Sequence, residues 1–546
     1  MKFYSRIVVT AGLVATVAGS AFAQPGKYSW NNLPQIELPS FRNDTFLITD
    51  FGAKAGGEAL NTESINKAIA HCSQQGGGVV LIPQGVWLSG PVVLKSNVNL
   101  HITRAAVLQF TGNKSQYKLV ETNFEGRKTV RNQPPISGTD LTNIAITGDG
   151  VIDGNGDVWR PVKKDKMTNG DWQRLTESGG LLSKDGKTWY PSESYRLGEE
   201  RKDAIGPVDH AAIRDFLRPN LMVLTNCKKV LLQNTSFQNS PTWCLHTLYC
   251  EHVTFDGIKV RNPSYAQNGD GIDIESCSYV QVKNCTLDCG DDGICIKSGK
   301  DEEGRRVGKP SRYIVVQNNV VYRGHGGFVI GSEMSGGAYD IFVSDCSFIG
   351  TDVGLRFKTA RGRGGIVENI HIRNISMRNI QHDAILFDMY YFTKAPSLAQ
   401  TNGKVDIPSV TEGTPQFRGF FISDLICEGA GRAMLIRGLP EMSIRDISLK
   451  NIFVRSAKGA DIIEAKNISL KNVSLQCASS APLIHIENSG GLSFETITGN
   501  QLTEAFFSIN GNRSGNIRVQ NTNLSIAKSK AIFNYGANAS MLTTIN

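Results

Sequence analysis

Beyond its first 23 residues, the chain of 546 residues has no apolar run long enough to cross a membrane as a helix. It lacks the Cys/His spacing of zinc sites, and it has no basic run interleaved with aromatic residues as in nucleic-acid-binding segments. Its repeats also lack the 3.6-residue apolar periodicity of helical solenoids. We therefore expect no membrane anchor, no metal site and no nucleic-acid partner.

The first 23 residues have the pattern of a bacterial signal peptide. Lys2 and Arg6 precede an apolar stretch at 7–18, and Ala21-Phe22-Ala23 supplies a small-x-small cleavage site. We expect the mature chain to begin near Gln24 and to be periplasmic or secreted, which the pattern does not separate. A buried N-terminal strand is the alternative interpretation of this segment.

A short apolar-x-apolar pattern recurs along most of the chain, usually every 21 to 34 residues. Such pairs place two side chains on the same face of a short strand, and periods of roughly 20 to 50 residues indicate a solenoid. The pattern predicts an all-β fold, a single-stranded right-handed parallel β-helix that forms one domain over residues 24–546, with a β-sandwich as the alternative. Examples are Val98-x-Leu100, Val230-x-Leu232, Val280-x-Val282, Ile370-x-Ile372 and Ile468-x-Leu470.

Two segments depart from the repeat. Residues 61–72 read as a helix with Thr62 as N-cap and with Ile65, Ala68 and Ile69 on one face, and this helix would cap the open end of the solenoid. Residues about 155–218 form a long polar insertion, which would wall off one end of a cleft.

Eleven cysteines are spread along the repeats. Export would permit disulfides, but five of them (Cys227, Cys250, Cys277, Cys285 and Cys346) fall at or near strand edges in the repeat register. We expect them to line the interior as small apolar residues. A bridge between Cys285 and Cys289 is left open.

Four polar clusters lie at near-regular intervals in the middle of the chain, with steps of 21, 34 and 31 residues between their charged members. Each step is about one turn of the repeat, so the clusters should stack into one column. They are Asn268-Gly269-Asp270, Asp291-Asp292, Gly324-His325-Gly326 and Arg356-Phe357-Lys358.

This column would bring together three carboxylates, an imidazole and two cations. Glycosidic hydrolysis uses two carboxyl groups, one that protonates the leaving oxygen and one that activates water. Three neighbouring carboxylates repel one another, which should raise the pKa of one and make a proton available. Together with a formal net charge of +8, the column favours acid/base cleavage of an anionic sugar chain.

The clusters resemble those of glycoside hydrolase family 28, the polygalacturonases. That family carries Asn-Thr-Asp, Asp-Asp, Gly-His-Gly and Arg-Ile-Lys in this order on a right-handed parallel β-helix, and here Gly269 replaces Thr and Phe357 replaces Ile. The resemblance extends over most of the mature chain. It includes Asp50-Phe51-Gly52-Ala53, the segment 148–156 and Asn239-Ser240-Pro241-x-Trp243.

The resemblance implies an inverting hydrolase of α-1,4-linked galacturonic acid that acts on pectin or oligogalacturonides. Glycoside hydrolysis by carboxylates needs no cofactor, and we expect the protein to be a monomer. If the roles of the family's motif residues apply at the matching positions, Asp291 is the general acid and Asp270 and Asp292 activate water. His325 then tunes the protonation of the acid. Arg356 and Lys358 would bind the substrate carboxylate. Further substrate-binding candidates, several in segments similar to exo-acting bacterial members, are Asn268, Lys297, Lys300, Glu333 and Arg361.

Other functions stay open at this point. An exo-acting enzyme is expected, but an endo-polygalacturonase or a hydrolase of rhamnogalacturonan or decorated galacturonan would use the same machinery. A pectate lyase shares the solenoid but uses Ca²⁺ and a basic residue, and the paired Asp with Gly-His-Gly argues against it. A non-catalytic β-helix adhesin would not need the polar column.

Overall fold

The computed structural model describes residues 27–202, 208–479, 482–500 and 504–545. The signal peptide predicted at residues 1–23 lies outside them. Within the described residues no helix is both long and apolar enough to span a bilayer. The chain winds into a right-handed parallel β-helix, as the repeat predicts.

Each full turn of the β-helix contributes to three parallel sheets, here named A, B and C in the order in which the chain visits them. Sheet A contains Thr45–Leu47, Gly78–Ile82, Val98–Ile102, Thr142–Thr147, Lys228–Gln233, Glu251–Asp256, Ser278–Lys283, Ser311–Gln317, Gly515–Gln520 and Leu542–Ile545. Sheet B contains Gly85–Ser89, Ala106–Phe110, Val151–Asp153, Ser236–Gln238, Lys259–Arg261, Thr286–Cys289 and Val320–Arg323. Sheet C contains Val92–Val93, Ile136–Thr139, Met222–Thr225, Leu245–Leu248, Ile272–Glu275, Asp292–Lys297, Gly326–Ile330, Leu355–Lys358, Ile484–Glu487, Ala505–Asn510 and Ser529–Asn534. Longer strands bend around more than one sheet, and these are Ala338–Ile349, Ile366–Asp388, Gln416–Arg437, Ile444–Ile463, Ala465–Cys477 and Gly490–Gly499.

The apolar pairs form the core because successive turns stack in register. In sheet A, Val253 pairs with Val280, Val280 with Ile314, and Ile314 with Ile341, and all four are fully buried. Neighbouring strands lie about 4.8 Å apart, so each side chain packs on its counterpart one turn away. The Asn residues that follow many pairs take left-handed backbone conformations at the corners, where Asn is tolerated better than most residues.

Helix α1 (Thr62–Gln74) caps the N-terminal end of the core, with Ile65, Ala68 and Ile69 fully buried. The predicted N-cap is wrong by one residue, because Asn61 occupies that position. The Thr62 hydroxyl instead accepts a hydrogen bond of 2.6 Å from the backbone N–H of Gly90.

All eleven cysteines are buried and free, which agrees with their expected role in the interior. Cys285 and Cys289 are not bridged. Cys227, Cys250 and Cys277 follow one another on successive turns, where backbone N–H groups point at the next sulfur at 3.2–3.4 Å.

The insertion at about 155–218 carries α2 (Asn169–Glu177), α3 (Glu193–Arg201) and an antiparallel sheet of Val162–Lys163, Leu181–Leu182 and Thr188–Tyr190. Three further excursions were not anticipated from the sequence. They are an antiparallel hairpin (Leu119–Phe124 with Arg127–Asn132), helix α4 (Asp301–Val307) and a loop with the short helix α5 (Leu398–Thr401).

Candidate active site

Stacking of sheet C brings the four polar clusters together on its outer face. Ile272 pairs with Ile294, Asp292 with Gly326, and Val329 with Arg356. The clusters therefore lie on four successive turns, and the alternation that buries the apolar residues turns the charged ones outward.

Glycine on either side of the Asp pair permits the tight turn that leads into sheet C. A Cβ on Gly290 would lie 2.4 Å from the carbonyl oxygen of Ala266, and one on Gly293 would lie 2.6 Å from Cγ1 of Val321. No other residue fits either position without moving its neighbours. The turn presents Asp291 and Asp292 together beside Asp270.

One carboxylate oxygen from each of Asp270, Asp291 and Asp292 lies within 4.8 Å of the other two. Asp270 and Asp292 are buried, whereas the Asp291 side chain is 19% exposed and is the one that solvent reaches. These oxygens are closer than the roughly 6.5–9.5 Å that generally separates the carboxyl groups of inverting enzymes. Inversion therefore stays a prediction from the family resemblance.

Asp292 is held between the two predicted cations. Lys358 Nζ donates to its Oδ2 at 2.7 Å, and Arg356 Nη1 donates to its Oδ1 at 3.0 Å. Burial disfavours the charge of Asp292, but Lys358 and Arg356 outweigh burial and hold its pKa well below the usual range. In the unliganded protein, these cations neutralise a carboxylate of the site.

Asp291 and His325 form the second charged pair, with Nδ1 of the imidazole 3.0 Å from Oδ1 of the carboxylate. The hydrogen bond to Asp291 raises the pKa of His325 against the effect of burial. Burial also opposes the charge of Asp291, but the bond from His325 prevails and lowers the pKa of Asp291. Nε2 of His325 faces Asp352 at 3.8 Å.

Of the three carboxyl groups, Asp270 is the one whose pKa is raised. Burial raises it well above the usual range, and the nearby charges of Asp273 and Asp291 add to the effect. Its Oδ1 has no hydrogen-bond partner. Of the three groups, Asp270 is therefore the one whose pKa favours the protonated form, whereas His325 favours the charge of Asp291.

Of the further binding candidates, Lys297 and Glu333 lie in the site. Lys297 Nζ is 3.3 Å from Glu333, 3.6 Å from Asp273 and 4.6 Å from the centre of the Trp243 ring. Burial opposes ionisation of Glu333, but Lys297 and further cations lower its pKa to about 2.

The other three candidates hold neighbouring segments in place. Asn268 Oδ1 accepts from Arg218 at 3.0 Å, and Lys300 lies 3.5 Å from Glu125 of the hairpin. Arg361 forms two hydrogen bonds with Glu441, at 2.5 and 2.9 Å. None of these contacts is with the three clustered carboxylates.

Several residues around the site were missed. His246 and Glu275 form a fully buried pair at 2.8 Å, and Asp273 is completely buried without a hydrogen-bond partner for either oxygen. Asp273 and Glu275 are charged residues two positions apart on one strand, and the same spacing led to the prediction of Arg356 and Lys358. No sequence signal marks Tyr391, whose ring lies 4.8 Å from Lys358 Nζ.

The hairpin closes one end of the sheet C face. Phe124 stacks on Trp243 at 5.0 Å, and the backbone N–H of Lys300 donates to Gly126 at 3.2 Å. The hairpin thereby covers the turn that carries His246. The side chain of His246 has no exposure. Its base is tied to the insertion, because Arg131 Nε donates at 2.8 Å to the carbonyl of Arg218. The insertion that was expected to act as the wall supports the hairpin, which forms the wall itself.

Among the described residues, only one group of three or more His, Cys, Asp or Glu side chains has a geometry that could hold a metal ion. This group is the three clustered carboxylates. Lys358 and Arg356 already occupy both oxygens of Asp292, so a metal ion would compete with them. The expectation that no metal is needed stays a prediction.

Comparisons with known proteins agree with this geometry. Residues 211–414 match the family model of the glycosyl hydrolases family 28. The crystal structure of a hyperthermoactive exopolygalacturonase from Thermotoga maritima is 31% identical, covering 81% of this chain and 92% of that one, with a TM-score of 0.64. An exo-poly-α-D-galacturonosidase of Dickeya chrysanthemi is 28% identical over 66% of this chain and 58% of its own length. An endo-polygalacturonase of Pectobacterium carotovorum is 28% identical over 75% of this chain and 90% of its own length.

The pKa directions predict how Asp352 affects the pH dependence of activity. Because its pKa is raised, His325 should stay protonated to a higher pH than an ordinary imidazole. The charge of Asp352 contributes to this rise in pKa. Asp352→Asn should therefore lower the pKa of His325 and move the alkaline limb of the kcat/KM profile to lower pH, with little change at acid pH. The profile is measured with oligogalacturonide, and Asp345→Asn, which changes an exposed aspartate at the corner between sheets A and B, is the control. An alkaline limb that stays in place would contradict the role of His325.

Proposed function

The chain belongs to glycosyl hydrolases family 28, and on that premise we propose that it is an exo-acting, inverting polygalacturonase that releases galacturonic acid from chain ends. It is a pectin-degrading glycoside hydrolase, as are relatives of both the exo and the endo type. The observation that carries the proposal is the cluster of three carboxylates flanked by His325, Arg356 and Lys358.

We assign the general acid to Asp291 because it is the exposed member of the cluster and has a proton donor at hand. Nδ1 of His325 lies 3.0 Å from Oδ1 of Asp291, so a protonated His325 can donate to that oxygen. A bound uronate would add negative charge and exclude water beside Asp291, and both effects raise the pKa of a carboxyl group. The proton can then pass from His325 to Asp291 and from Asp291 to the leaving glycosidic oxygen.

Asp292 serves as the base for the attacking water in this assignment. Its lowered pKa keeps it ionised and able to accept a proton from water. The raised pKa of Asp270 favours its neutral form, which adds no repelling charge next to Asp292, so both groups can contact one water molecule. Arg356 and Lys358 supply positive charge for the carboxylate of the sugar.

The hairpin supports exo action. A polysaccharide bound along sheet C would run into the stacked Phe124 and Trp243 rings, so a chain end should stop there. Endo action remains the alternative, since relatives of this family include both types. The signal-peptide pattern and the acidic substrate fit an exported enzyme, and we propose that it acts in the periplasm or outside the cell.

Asp291→Asn should abolish turnover of oligogalacturonide without unfolding the protein. Loss of a general acid typically costs about 10²- to 10⁴-fold in rate. The amide keeps the shape of the side chain, so the urea unfolding curve should match that of the parent. Asp345→Asn serves again as control, and substantial activity of the Asp291 variant would refute the assignment.

A product time course on de-esterified polygalacturonate distinguishes the modes of action. We expect galacturonic acid monomer from the first minutes, a slow fall in viscosity and no effect of a chelator. Early mixed oligomers with a rapid fall in viscosity would identify an endo-enzyme. Unsaturated products that disappear with chelator would identify a lyase.

A further inference from the structure

A second concave surface lies on the outer face of sheet B, outside the active site. This sheet B groove has a volume of about 710 Å³, and its lining contains none of the three clustered carboxylates, His325, Arg356 or Lys358. Its charged and aromatic lining includes Asp153, Lys259, Arg261, Asp288, Tyr322 and Arg323.

The strand register sets the order of these side chains. Lys259 and Arg261 lie two residues apart on one strand, so both point to the same face. Arg261 pairs in register with Asp288, and Asp288 pairs with Tyr322. Neighbouring strands are about 4.8 Å apart, so Tyr322 stands about 10 Å from Arg261 along the solenoid.

The carboxylates of the groove already have partners within the protein. Asp288 accepts from Arg323 Nε at 2.7 Å, and Asp153 accepts from Gln238 Nε2 at 2.8 Å. Asp157, at the edge of the groove, forms an ion pair with the buried Arg160. Arg323 and Arg160 thus compensate the charges of Asp288 and Asp157, whereas Gln238 satisfies Asp153 without neutralising it.

Two cations of the groove have no such partner. The side chains of Lys259 and Arg261 form no hydrogen bond or ion pair with any described residue. Tyr322, on the far wall, is 40% exposed. Unpaired cations facing an exposed ring about 10 Å away form a surface that suits a ligand combining a carboxylate with an apolar sugar face.

We propose that the sheet B groove is a non-catalytic binding site for a segment of galacturonan. Lys259 and Arg261 bind uronate carboxylates, and a sugar ring stacks on Tyr322. The choice of galacturonan rests on the proposed function of the active site. The groove also borders that site, because Arg323 precedes His325 by two residues and Asp288 precedes Asp291 by three. A long chain held there would keep further chain ends near the catalytic residues.

The test combines Lys259→Ala with Arg261→Ala. The matched control combines Arg518→Ala with Lys528→Ala, two exposed cations near the C-terminal end of the solenoid. Binding is measured by affinity electrophoresis in gels containing polygalacturonate, with Asp291→Asn in every protein so that the polymer is not degraded. Turnover of digalacturonate and of polygalacturonate is measured with Asp291 intact.

Loss of two charge-assisted contacts should weaken retention by polygalacturonate about tenfold or more. The control should be retained like the parent, and turnover of digalacturonate should be unchanged, while kcat/KM on the polymer falls. Tyr322→Ala should weaken retention in the same direction, and Tyr322→Phe should restore it.

Unchanged retention of the groove variant, or equal weakening of the control, would overturn the proposal. Equal loss of digalacturonate turnover would also overturn it, because the groove would then serve the catalytic step. The test distinguishes failure of the groove proposal from failure of the proposed function. An enzyme that degrades no polygalacturonate but loses retention only in the groove variants would keep the binding site and refute the assigned activity.

Discussion

The candidate active site depends on one buried carboxylate held between two cations. Asp292 is 1% exposed, and its two oxygens accept from Lys358 and Arg356. Breaking a buried pair by removing one partner generally costs about 3–5 kcal/mol, because an uncompensated charge remains. Asp292 lies two turns of the solenoid from its cations, so only in-register stacking of sheet C can bring these charges together. The fold and the chemistry thus rest on the same ladder of hydrogen bonds.

The ion pairs of the site also set the direction in which the pKa of each carboxyl group shifts. Asp292 is stabilised by cations and Asp291 by His325. For the third carboxyl group, Asp270, burial and neighbouring negative charges outweigh the attraction of Lys297 and raise its pKa. The pKa values of three identical side chains, whose oxygens approach within 4.8 Å of one another, therefore shift in different directions. One carboxyl group with a raised pKa and two with lowered pKa values form an asymmetric set suited to acid/base chemistry.

The sequence predicts the solenoid and the cluster because both depend on short-range spacing. Apolar residues at i and i+2, repeated once per turn, specify strands that stack, and the charged groups follow the same period. The hairpin wall could not be predicted, since its position depends on contacts of Phe124 with Trp243 and of Gly126 with Lys300, far apart in the chain. Tyr391 and the partners of Asn268 and Arg361 were hidden for the same reason. Assigning the proton to Asp270 required its burial and the position of His325, neither of which spacing reveals.

The most direct measurement is a titration of the aspartate carboxyl carbons by ¹³C NMR in enzyme labelled at Asp, with signals assigned from Asp270→Asn, Asp291→Asn and Asp292→Asn. The account predicts that Asp270 titrates well above the ordinary range of Asp, while Asp291 and Asp292 titrate below it. An ordinary pKa for Asp270 together with a raised pKa for Asp291 would contradict it, because the free enzyme would then already hold its proton on the group assigned as the acid.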